Sequence, residues 1–200
     1  MWFNYFYEMQ QTSTYFSLRG WSGILLGIYG LLMVYLVHML TGTYGDGFDG
    51  SSQLPIALLE IAIMVLAVVI VLISLITLWI RAKRTAKRHN EKLWSPLSKK
   101  ARFHTLIPLL LFIIILAVIA NKGYYSIITP LLMLLYGIFL LNLNRFSSGN
   151  LKYLAFAEII LAIVAYFIVD KEILFLGLGL GVFHMLYGIF TFGKSIKQPQ

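Results

Sequence analysis

Two ionisable residues stand inside the last pair of apolar runs, Glu158 in one and His184 in the other, and only Asp170-Lys171-Glu172 separates the runs. Glu158 lies thirteen positions before Lys171 and His184 thirteen after it, so a helical hairpin turning there brings both to one depth. Ala155, Ala162 and Ala165 share helical spacing with Glu158, and Gly177, Gly181 and Gly188 do so with His184. Residues three and four apart occupy one helix face, and small residues let two helices approach closely. A carboxyl and an imidazole are therefore expected to face each other between packed helices. Two chemistries suit such a pair. It can relay a proton or belong to a polar substrate site, because an ionisable group at bilayer depth is costly and reads as functional by default. Or it can be a neutral hydrogen bond, protonated carboxyl to imidazole, worth about 1 kcal/mol as packing between helices.

A second candidate pair, His38 and Glu60, flanks the 41–55 segment at the outer ends of the first two apolar runs. Near the surface, both can simply be solvated; with Glu158 and His184 they would instead mark a polar path into the bundle. Other chemistries have less to stand on. His38, His89, His104 and His184 fall at different depths and no CxxCH is present, so haem is not expected. Glu158 and His184 lack third and fourth ligands for a metal. With no cysteine, thiolate metal sites, disulfides and cysteine nucleophiles are excluded. Asp46-Gly47-Phe48-Asp49-Gly50 lacks the alternating oxygen ligands and closing Glu of a calcium loop and reads as a turn. No GxSxG, HExxH or phosphate-binding glycine motif occurs, so no catalytic residue or cofactor is assigned.

The elements that must hold these residues follow from hydropathy. The chain is 60% hydrophobic and 12% charged, with mean hydropathy +0.83, and runs near the spanning length of about twenty residues recur along it. The fold class is an all-α integral membrane protein. Six transmembrane helices are expected over 22–40, 56–80, 104–120, 124–143, 152–169 and 173–192, as three antiparallel hairpins. Residues 1–21, with eight aromatics among polar residues, read as an interfacial segment, and 193–200 as a tail.

Nine of the sixteen Lys and Arg residues lie between Arg81 and Arg102, which makes 81–103 a cytoplasmic loop in contact with anionic lipid and argues against nucleic acid as the partner of this +8 chain. Alternation then puts fourteen cations inside and only Lys122 and Lys171 outside, with both termini cytoplasmic in a plasma (inner) membrane. Leu135-Tyr136-Gly137-Ile138-Phe139 recurs as Leu186-Tyr187-Gly188-Ile189-Phe190, which suggests that hairpins two and three are an internal parallel repeat. Gly20, Gly23, Gly27 and Gly30 form a seam on the first helix for close packing. So many small residues also suggest a homo-oligomer.

The six-span layout, Leu18-Arg19-Gly20 and Gly23-Ile24-Leu25-Leu26-Gly27 resemble small bacterial membrane proteins of the HdeD type. That resemblance implies a stress-associated membrane protein without known catalytic residues; the long basic loop and aromatic N-terminus depart from it. Three classes of function follow. The first is a non-enzymatic membrane protein acting through protein partners in assembly, stress response or regulation. The second is a small transporter or proton-coupled permeation protein using Glu158 and His184. The third is a membrane enzyme or redox subunit.

Overall fold

The computed structural model describes residues 18–44, 56–88, 96–124, 127–144, 147, 150–168 and 171–192. Among these residues there are six helices and no strand: α1 (Trp21–Tyr44), α2 (Ile56–Arg88), α3 (Pro96–Asn121), α4 (Ile128–Leu143), α5 (Lys152–Phe167) and α6 (Glu172–Thr191). Three are long and apolar enough to cross a membrane, over Trp21–Thr41, Ile61–Arg84 and Glu172–Thr191, and two shorter apolar stretches cover Leu106–Asn121 and Ile128–Leu143. This is the architecture of a helical membrane protein. The aromatic 1–17 stretch, the Asp46–Gly50 turn and the 193–200 tail lie outside the described residues.

Helix α1 runs on to Tyr44 and α2 to Arg88, past the expected ends at 40 and 80, and two starts differ as well. Helix α3 starts at Pro96, eight residues ahead of the apolar run, because proline is well suited to the first helical position, where its missing N–H costs nothing. At its other end Gly123 adopts φ +80° and the Tyr124 N–H reaches back 3.3 Å to the Ile119 carbonyl. That left-handed cap stops α3, so α4 begins at Ile128 and not at 124.

The core is built from four helices, α1, α4, α5 and α6, with α4 packed most extensively on α5 and α1 on α6. Leu154, Ala155, Glu158, Ala162 and Ala165 are the buried face of α5, at spacings that keep one side of the helix inward. One apolar cluster joins Leu18, Leu143, Leu151, Leu154 and Tyr187, so the start of α1, the end of α4, the start of α5 and the end of α6 meet at one end of the bundle. There the Gly20 N–H, in a turn with φ +60°, donates to Thr191 Oγ1 at 3.1 Å.

Helices α1 and α6 meet glycine to glycine. A methyl group placed on Gly23 would come within 2.9 Å of the Gly188 Cα, one on Gly27 within 2.6 Å of the Gly181 carbonyl oxygen, and one on Gly30 within 3.1 Å of the Gly181 nitrogen. The glycine stripes of α1 and α6 thus face each other within one chain. Gly20 precedes the helix and serves its entry turn. Helices α2 and α3 flank this core, α2 against α1 and α3 against α4. Tyr29 and Thr77 hydroxyls pair at 3.2 Å across the α1–α2 contact. Neither flanking helix contains a glycine, and Ile70 is the only buried residue among their described side chains.

Candidate functional site

The bundle brings Glu158 and His184 together. Both are fully buried, 0% and 2% exposed, and the nearest approach, His184 Nδ1 to Glu158 Oε1, is 3.8 Å. That is too long for a hydrogen bond. The direct carboxyl–imidazole bond expected from the sequence is not made, because His184 is engaged on both sides by other groups. Its Nδ1 lies 3.0 Å from the Gly179 carbonyl and its Nε2 lies 2.6 Å from the Tyr136 hydroxyl. A carbonyl can only accept, so Nδ1 carries the hydrogen; in the neutral ring Nε2 then accepts, and the Tyr136 hydroxyl is the donor. The tyrosine and imidazole rings lie side by side, centroids 5.5 Å apart.

The local fold explains this wiring. Residues Gly177–Phe183 form a π-helical turn within α6. At its end the His184 backbone N–H bonds to the Gly181 carbonyl, and the Gly179 carbonyl is taken by the His184 side chain. Gly177, Gly179 and Gly181 are all buried in that turn and point to different neighbours. Gly177 faces Val34 and Gly181 faces Leu31, both on α1. Gly179 faces α5: a methyl group there would lie 2.5 Å from Glu158 Oε2 and 2.8 Å from Met133 Cε. The space occupied by the Glu158 carboxyl exists because residue 179 has no side chain.

Glu158 itself gains nothing visible from this arrangement. Both its carboxyl oxygens are buried without a hydrogen-bond partner among the described residues. An unpaired buried polar group costs about 1–3 kcal/mol, and more when charged. The carboxyl therefore opposes the stability of the hairpin that contains it. As an acid it is a neutral group against Met133; as a carboxylate it would be a buried charge 3.8 Å from an imidazole.

The sequence did not single out Tyr136 or Gly179. Tyr136 was visible only as part of the recurring pentapeptide. Gly179 was hidden because Gly177, Gly179 and Gly181 alternate at spacing two, which no α-helical stripe includes. Met133, placed by the proposed repeat at the position equivalent to His184, is fully buried against the Glu158 site. The outer pair is only half described: His38 is exposed on α1, and the Glu60 side chain lies outside the described residues, as do His89 and the His104 side chain. Among the described residues no three His, Cys, Asp or Glu side chains are grouped to hold a metal. No protein-family model, curated protein or solved structure matches the chain, so nothing there bears on the HdeD-type resemblance.

Proposed function

We propose that the chain is a six-span plasma-membrane bundle with both termini cytoplasmic, and that it works as a proton-coupled permeation protein with Glu158 as the group that takes up and releases the proton. The observation that carries this reading is the carboxyl buried without a hydrogen-bond partner among the described residues. A Glu kept only as packing glue would be bonded to His184. One that destabilises its own hairpin is better explained by chemistry than by structure. The π turn beside it supports the same reading, since such turns occur frequently at functional sites. In this arrangement the site is closed, and uptake requires α6 to move relative to α5.

The test is proton flux in proteoliposomes driven by a potassium diffusion potential and read with an internal pH dye. Wild type should exceed protein-free vesicles at least tenfold, and Glu158→Gln should fall to the protein-free rate. Equal flux from wild type and Glu158→Gln, or none from correctly folded wild type, sinks the reading.

A second reading is favoured by a different observation. Helices α2 and α3 carry apolar side chains outward along their length, Leu58 to Ile80 and Leu106 to Val118, and between them lies the basic segment Arg81–Arg102. A non-enzymatic subunit that docks a membrane partner on these helices, with the basic segment towards anionic lipid and the cytoplasm, would have that form. A stoichiometric protein partner retained through detergent purification, together with absent proton flux, would favour it.

A further inference from the structure

A second feature lies away from Glu158, at the end of the bundle where α5 begins and α6 finishes. A cavity of about 570 Å³ opens there between the two helices, within the usual range of ligand sites, about 300–1,000 Å³. Arg19, Asn150 and Thr191 stand at its polar end, beside Phe190, while Ala157 and Phe183 line it further down. From Asn150 to Ala157 is two helical turns, so the lining changes from cationic and polar to wholly apolar over about 10 Å. Tyr187 forms part of the wall; its hydroxyl is within electrostatic reach of Arg19 and is buried without a hydrogen-bond partner among the described residues. Among the described residues no acidic side chain lines the cavity.

We infer that this cavity is a binding site for a lipid with an anionic phosphate headgroup. The phosphate sits at the Arg19 end and an acyl chain runs down the apolar groove. Arginine matches phosphate in charge and in its forked donor geometry. The outer walls decide between a lipid and a free anion. Tyr153, Leu186 and Phe190 are exposed large apolar or aromatic side chains at the opening, so access is from a hydrocarbon phase and not from water. A soluble phosphate would use the polar end and leave the groove below it empty. The site is separate from the basic Arg81–Arg102 segment, whose lipid contact would be diffuse.

The experiment is native mass spectrometry of the full-length protein in detergent, titrated with phosphatidylglycerol, with phosphatidylcholine, and with inorganic phosphate alone. The first phosphatidylglycerol should bind at least tenfold more tightly than phosphatidylcholine, and inorganic phosphate should not compete at equal concentration. Arg19→Gln should remove that preference, and Lys152→Gln, a neighbouring exposed cation outside the cavity, should keep it. Ala157→Phe, which fills the groove without changing charge, should weaken the first lipid about tenfold and carries the test if Arg19→Gln does not fold. Equal binding of the two lipids, a preference that survives both Arg19→Gln and Ala157→Phe, or full competition by inorganic phosphate would each overturn the assignment.

Discussion

The same five residues, Leu-Tyr-Gly-Ile-Phe, occupy two places in the bundle, 135–139 on α4 and 186–190 on α6, and their environments have diverged. Tyr136 gives its hydroxyl to His184 at 2.6 Å; the hydroxyl of Tyr187 is buried with no partner among the described residues. A methyl group on Gly137 would meet the Ile159 side chain at 2.6 Å, with its nearest backbone atom, the Ala155 oxygen, at 3.0 Å. One on Gly188 would meet backbone, the Ile24 nitrogen at 2.5 Å and the Gly20 oxygen at 2.8 Å. Identical local sequence thus yields one bonded hydroxyl and one without a partner among the described residues, and a looser and a tighter approach to the neighbouring backbone. What a short motif contributes is decided by the helix packed against it.

The comparison can be broken most forcefully at the glycines. Gly188→Ala should cost about 3 kcal/mol or more, because overpacking against backbone offers no side chain to move, whereas Gly137→Ala should cost about 1 kcal/mol. Thermal unfolding in detergent of the two variants side by side would show whether that order holds; similar losses would mean α1 and α6 are less tightly joined than described.

Next in size is the glycine that makes room for the carboxyl. Gly179→Ala should cost about 1–3 kcal/mol through its contact with Glu158, and adding Glu158→Ala should restore most of the loss. Additive losses in that double-mutant cycle would remove Glu158 from the contact.

The tyrosines sharpen the same contrast at smaller scale. Tyr136→Phe leaves the His184 acceptor buried and unpaired and should cost about 1 kcal/mol, near the typical worth of a hydrogen bond between helices in lipid. Tyr187→Phe removes an unsatisfied hydroxyl and should be neutral or slightly stabilising, within about 0.5 kcal/mol. A clear loss at Tyr187→Phe would reveal a partner for that hydroxyl outside the described residues.

How much of this was legible beforehand depended on periodicity. The buried face of α5 was readable because Ala155, Glu158, Ala162 and Ala165 keep α-helical spacing, and the turn at Lys171 fixed the depth of His184 against it. The wiring of the site was not readable: the imidazole turns to the Gly179 carbonyl and the Tyr136 hydroxyl, and neither residue lies on the Gly177–Gly181–His184 stripe that α-helical spacing picks out. Nothing in a hydropathy profile reports the change from four-residue to five-residue bonding over Gly177–Phe183. Tyr136 was equally silent, since its partner comes from a helix 48 residues later. The glycine seam of α1 announced a close contact and could not say with which helix; long-range choice of partner is set by the whole packing arrangement and not by the seam itself. Composition separated the flanking helices from the core more readily. Helices α2 and α3 have no glycine in 33 and 26 residues, and they are the ones left outside.

The clasp between α1 and α6 has a consequence for how the chain is made. Gly27 and Gly181 are 154 positions apart, and a ribosome adding about 5–20 residues per second needs roughly 8–30 s to travel between them. For that interval the first helix waits in the bilayer with its glycine groove unfilled, while α2, α3, α4 and α5 arrive. The later helix, α6, is the one that locks α1. A nascent chain halted before residue 181 would hold α1 to α5 and none of the α1–α6 clasp, so the closure of this bundle waits on the synthesis of α6.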